Sequence, residues 1–261
     1  QRDFLPIHEF RPISTSLRLT QEIEAVAGLG TEEEKHSLPR GTELFARRLF
    51  DLQGTEYALV TVNDPSLRSY VVPSSLLQQN SRKTDFEKSR TGQLLAIAEE
   101  LAGDKRAFIH GDRANASNAL AVTSDLCWSI RDFEREFYQS LPEIATSQGQ
   151  ELVVTNFLSG RWLEQQPESM ATLLELDRRE PLVRFEWGTH SWAHPKSGLF
   201  MNAYAPESLV GDTLYTEQQL LEWGVVPEIY YRFPGLIHDE KRLDTIIELG
   251  LLPIDCDSWI S

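Results

Sequence analysis

Over residues 1–36 the apolar and polar positions keep no long period. The single helical signature there spans 20–27, where Thr20 stands as a cap, Ile23 and Val26 share a face, and Gly28 and Gly30 stop the turn. From 38 to 77 the period shortens to two. Strand runs at 42–45, 57–62 and 70–72 are separated by Pro39-Arg40-Gly41, Gln53-Gly54, Asn63-Asp64-Pro65 and Pro73, the punctuation of a small all-β barrel. Leu94, Leu95, Ile97, Ala98 and Leu101 then form one stripe and predict a helix over 85–102, ended by Gly103.

Beyond residue 105 strand and helix alternate. Apolar strand runs at 119–123, 152–157, 182–187, 228–232 and 251–254 are interleaved with amphipathic stretches at 131–145, 163–176, 216–223 and 239–249. Such alternation predicts parallel strands covered by helices, an α/β class. The chain therefore divides into an N-terminal segment (1–84) holding the β unit at about 38–77, a connecting helix (85–104) and an α/β part (105–261). No run of eighteen apolar residues occurs, so no membrane-spanning helix is expected.

Charge narrows the partners. With 25 basic and 40 acidic residues among 261, a net charge of −15, the chain lacks the clustered Lys and Arg that neutralise phosphates, which argues against nucleic acid or an anionic membrane. A neutral or polymeric substrate fits better. The first residue is Gln1 rather than Met, which suggests a processed chain and is compatible with export to the periplasm or cell envelope. Only Cys127 and Cys256 are present, too few for a disulfide framework and at no zinc-finger spacing; both follow strands, so a bond between them is conceivable.

In parallel sheets and barrels, polar chemistry collects at the carboxyl ends of the strands. There the chain places Ser124-Asp125-Leu126-Cys127, then His190-Ser191-Trp192-Ala193-His194-Pro195, then Arg232-Phe233-Pro234-Gly235, and last Asp255-Cys256-Asp257-Ser258-Trp259. His190 and His194 are four apart, so on a helix both imidazoles project from one face. Two neutral imidazoles and a carboxylate make a three-ligand divalent site with room for water.

These ordered segments resemble the NodB-homology polysaccharide deacetylases, a carbohydrate esterase family. The block from His190 to Pro195 is similar to the family's metal-binding second motif, Tyr231-Arg232-Phe233-Pro234-Gly235-Leu236 to its third, Asp257-Ser258-Trp259 to its fourth, and Thr123-Ser124-Asp125 to the start of its first. The stretch from Asn156 to Leu163, followed by Pro167-Glu168, matches its second strand and helix, so the likeness covers about residues 105–261. It implies a distorted (β/α) barrel in which zinc or a similar divalent transition metal removes acetyl groups from an N-acetylated glycan or peptidoglycan. His190 and His194 would be metal ligands and Asp125 the general base. Arg232 would orient Asp125, with Asp257 nearby, and Trp192, Phe233, Pro234 and Trp259 would shape the sugar-facing groove.

The family's second Asp, beside or two beyond the first, is replaced here by Leu126 and Cys127. The third ligand is therefore left open between Asp125 and Cys127. The fifth motif, ending in a proton-donating His, has no counterpart after the fourth; Ala107-Phe108-Ile109-His110-Gly111-Asp112 looks similar to it and makes His110 the candidate. A barrel that has lost turnover through Leu126 and Cys127 and merely holds glycan is the alternative reading. Leu38-Pro39, Gly41-Thr42 and then Tyr70-Val71, Pro73 and Leu76 resemble a bacterial SH3-like domain, which implies contact with a cell-wall peptide or a protein partner.

Overall fold

The computed structural model describes residues 6–26, 35–62, 67–79, 122–127, 133–194 and 205–255. Two layers make it up. The first is a seven-stranded antiparallel sheet in the order β3-β2-β6-β5-β4-β1-β7, with β1 Ile7–Leu19, β2 Ile23–Val26, β3 Lys35–Leu38, β4 Glu43–Leu52, β5 Thr55–Val62, β6 Ser69–Pro73 and β7 Leu77–Gln79. It takes in far more chain than the segment 38–77. The helix expected over 20–27 is instead β2, paired with β3 and β6. Four residues, Ile-Glu-Ala-Val, satisfy either period, and two β-branched residues with waiting partners settle it as a strand. Thr20 caps nothing: its hydroxyl donates to the Leu76 carbonyl at 3.0 Å.

Both faces of this sheet are buried, and alternation divides the labour. On β5, Ala58, Val60 and Val62 join Leu17, Leu44 and Tyr70 in a core inside the curled sheet, while Leu59 turns outward with Phe50 and Val71 onto Leu221 and Val226 of the second layer. Between Ala46 and Arg48 the β4–β5 register slips by one, so two residues of β4 oppose one of β5. A bulge of this kind can turn consecutive side chains toward the same face. Arg47 and Arg48 both enter the interface and bind Glu217.

The second layer is a five-stranded parallel sheet in chain order: β8 Val122–Leu126, β9 Leu152–Leu158, β10 Val183–Thr189, β11 Tyr230–Tyr231 and β12 Leu252–Pro253. Its helices are α1 Phe133–Gln148, α2 Gly160–Gln165, α3 Pro167–Arg179, α4 Pro206–Glu222 and α5 Glu240–Glu248. The helix expected over 163–176 is broken at Gln166 because Pro167 cannot continue it and opens the next one instead. Parallel strands in chain order must be joined by crossovers, which by the general chirality rule are right-handed and would set the connecting helices on one face. The sheet is strongly curled. Were it flat, β8 and β12 would lie roughly 19 Å apart, yet the single guanidinium of Arg232 bonds Thr123 of β8 and the Ile254 and Asp255 carbonyls after β12. Among the described residues the sheet does not close. The expected connecting helix, His110, Cys256, Asp257 and Trp259 lie outside the described residues, and the proposed Cys127–Cys256 bond with them.

Candidate metal centre at the strand ends

Arg232 organises the mouth. Its Nη1 donates to Thr123 Oγ1 at 3.0 Å and to Asp125 Oδ1 at 2.8 Å, its plane lies 4.0 Å over the Phe157 ring of β9, and its backbone N–H donates to the Thr189 carbonyl of β10. One residue thus touches the ends of all five strands. With 3% of its surface exposed it has little water to fall back on, and its partners supply the lost solvation.

Its own carbonyl fixes the first imidazole. His190 Nδ1–H donates to the Arg232 oxygen at 2.7 Å, which assigns the other nitrogen, Nε2, a lone pair aimed into the mouth. That Nε2 is buried without a hydrogen-bond partner and lies 3.8 Å from Asp125 Oδ2, beyond hydrogen-bond range. Burial, opposed by the Asp125 charge, pushes His190 down to about 4, and burial also lowers His194. Both rings are neutral at physiological pH, the form that binds metals.

The two imidazoles meet, with centroids 4.8 Å apart, but not on a helix. Residues 190–194 form an irregular loop in which Ser191 and His194 take positive φ values of 60° and 40°, a conformation that non-glycine residues hold only under external constraint. The constraint is visible. The Ser191 and Trp192 carbonyls accept from the N–H groups of Gly160 and Arg161 at the start of α2, Trp192 N–H donates to Asp212 of α4 at 2.6 Å, and Ser191 Oγ accepts from His194 N–H. The Trp192 ring covers Gly160 so closely that a Cβ there would stand 1.7 Å from it, so only glycine fits.

Cys127, His190 and His194 form a trio whose donor atoms all lie within 4.8 Å of one another. Soft sulfur, two neutral nitrogens and an orphaned buried lone pair fit a transition metal such as zinc. Of the residues expected to face a sugar, Trp192 is half-buried with its ring 4.3 Å from exposed Tyr215. Phe233 and Pro234 are instead buried: Phe233 packs on Tyr231 and His238 because the apolar core under α5 claims it, leaving one edge on a cavity of about 190 Å³. Tyr215 and Asp212 carry no motif and were not anticipated; Phe157 and Gly160 lie in the stretch matched to the family's second strand and helix, but no role in the site was assigned to them.

No family model matches the chain. Solved structures similar to it include a family 4 carbohydrate esterase from Streptomyces lividans in complex with acetate, at 16% identity over 55% of this chain and a TM-score of 0.41. The chitin deacetylase of the fungal pathogen Colletotrichum lindemuthianum is similar at 21% identity over 52% and a TM-score of 0.37, and a family 4 pseudoenzyme from Bacillus anthracis at 16% over 51% and 0.39. The chain spans 65%, 54% and 41% of these three chains, respectively. Two of these three are thus family 4 carbohydrate esterase proteins, one of them a pseudoenzyme, and the third is a chitin deacetylase.

Proposed function

We propose that this chain is a metal-dependent hydrolase that removes acetyl groups from N-acetylated amino sugars of a polysaccharide or peptidoglycan. The observation that carries the reading is the buried, unpartnered Nε2 of His190, aimed at His194 and Cys127 and flanked by a carboxylate clamped on an arginine. His190 and His194 would hold the metal, with the third donor from Cys127 or Asp125. When bound, a divalent ion supplies Lewis acidity, polarising an amide carbonyl and making water acidic near neutral pH.

The chain's own residues would do the rest. Asp125 keeps 35% of its side chain open to solvent, so its Oδ2 can take a proton from attacking water while Arg232 holds Oδ1 still. Arg232 acts as a positioning residue through this clamp and through the His190 tautomer. Trp192 and Tyr215 offer an aromatic face at the rim for a sugar ring. His110 is kept as the group that returns the proton to the leaving amine. A wall glycan of this kind would be met in the cell envelope.

Acetate release from N-acetylchitooligosaccharide or peptidoglycan tests the reading. We expect turnover that chelation abolishes and zinc or cobalt restores; none with either substrate, metal loaded, overturns it. Leu126 and Cys127, standing where a second acid is expected, favour one further reading, a glycan-holding protein without turnover. Acetate release that appears only in Cys127→Asp would support that reading.

A further inference from the structure

Granted the metal-dependent reading above, we infer that the third donor to the metal is the thiolate of Cys127, and that Asp125 stands outside the coordination sphere. Strand geometry comes first. The strand ends on Leu126, which is wholly buried in the core beneath the helices, whereas the Cys127 donor atom lies at the mouth with those of His190 and His194. The Cys127 N–H donates to the Asp125 carbonyl at 3.0 Å, a γ-turn closing i to i+2 that holds residue 127 at the end of the strand. A ligand at 126 would have pointed into the wrong layer; one at 127 does not.

Distances agree. The donor atoms of Cys127, His190 and His194 lie within 4.8 Å of one another, and a tetrahedral site with bonds of about 2.0–2.3 Å sets its donors roughly 3.5 Å apart. Gathering them takes a movement of about 1 Å, within the reach of side-chain rotation. Asp125 has another commitment. Its Oδ1 receives the Arg232 guanidinium at 2.8 Å, so its charge is already balanced by a buried cation and its pull on a second cation is weakened.

The second line of support is His190 itself. A nitrogen lone pair buried without a donor is costly, and its Nδ1–H is already given to Arg232, so a cation gathered with the neighbouring thiolate satisfies it without adding a proton. Two imidazoles and a thiolate are a soft donor set. They select zinc or cobalt over magnesium, manganese or calcium, and they leave the Asp125 carboxylate available as the base.

Cobalt distinguishes the donors spectroscopically. The reduced full chain, stripped by chelator and loaded with Co(II), is expected to develop an intense near-ultraviolet thiolate-to-cobalt charge-transfer band. Cys127→Ser should lose the band and bind cobalt at least about tenfold more weakly, given that loss of even an outer partner costs 10–100-fold. Asp125→Asn should keep the band. Stoichiometric cobalt bound to the unaltered chain without this band overturns the inference alone, as does a band that survives in Cys127→Ser. No bound cobalt at all overturns the metal-dependent reading with it.

Discussion

Two arginine-centred clusters serve this molecule, one between its layers and one at the strand ends, and they differ in how completely they are satisfied. At the interface, Arg47 donates to Glu217 Oε1 at 3.1 Å, to Thr61 and Ser69 at 3.0 and 2.9 Å, and to the Pro227 carbonyl. Arg48 donates to Glu217 Oε2 at 2.6 Å and to the Leu249 carbonyl at 2.8 Å. All three side chains are fully buried, and Glu217 has an arginine on each oxygen. At the strand ends Arg232 is as deeply buried, but its acid is one-third exposed and the histidine beside it keeps an unpartnered nitrogen. A buried acid held by an arginine on each oxygen and sealed from water can only hold structure; one that stays partly open beside an unspent lone pair can bind and react.

The contrast breaks most visibly at Glu217. Glu217→Ala leaves two buried guanidiniums without an anion, and the loss expected is about 3–5 kcal/mol in urea unfolding. A loss below about 1 kcal/mol would mean that water or rearrangement replaces the carboxylate, and that the two clusters are less unlike than their geometry implies. Next in size is Glu228, whose carboxylate accepts the Ser69 N–H at 2.9 Å across the same interface. Burial, then the nearby Glu186 charge, pushes its carboxyl up from 4.5 to about 7, against the pull of Arg47. Between those values the unfolded chain gives up a proton that the folded chain keeps, so stability falls as pH rises from about 4.5 to about 7 and is level above. The total is at most a few kcal/mol. Glu228→Gln removes this fall; equal slopes in the two proteins across urea titrations at stepped pH would refute the assignment.

At the mouth the expected effects are smaller. Zinc at a hundred times its dissociation constant should stabilise the chain by about 2.7 kcal/mol, and His190→Ala should erase this shift in calorimetry. An identical zinc shift in the variant would remove His190 from the site. Gly160→Ala probes the same loop from behind. The added methyl overlaps the Trp192 ring, so an overpacking cost of about 1–3 kcal/mol is expected, together with weaker zinc binding as residues 190–194 are displaced. Lost stability with zinc affinity unchanged would show that the loop's position does not set the site.

How far the sequence could anticipate each cluster follows from the separation of its parts. The mouth was largely legible, because Asp125, His190 and Arg232 each stand at the end of a strand and parallel topology gathers strand ends without further information. That the His190–His194 segment is an irregular loop was not legible: its shape depends on carbonyl contacts to α2 and on Asp212, a mid-helix acid with no motif around it. The interface was opaque. Arg47-Arg48 in an alternating strand reads as one exposed and one buried position, and nothing local announces a bulge that turns both to one side. Their partner Glu217 lies 170 residues away on α4. The helix mistaken at 20–27 failed for a related reason, since four residues fix no period and the pairing strands decide.

A third pair calibrates the comparison. Arg18 Nη2 and Glu43 Oε1 are 2.8 Å apart, the same separation as Arg232 and Asp125 and shorter than Arg47 and Glu217, but their side chains are 48% and 42% exposed. If distance governed, Arg18→Ala would cost as much as a loss at either cluster. Water screens the attraction and solvates the carboxylate left behind, and two long side chains recover their freedom, so the expected cost is within about 0.5 kcal/mol. The pair also lies directly across β1 and β4, where Arg18 faces Glu43 in register, so the measurement contains the cross-strand contact as well as the charge. Arg18→Gln retains much of that contact while removing the charge. Urea midpoints for both variants within about 0.5 kcal/mol of the parent would confirm that burial, not separation, sets the Arg47 and Arg232 clusters apart, whereas a loss above about 2 kcal/mol in Arg18→Gln would assign the strength to geometry.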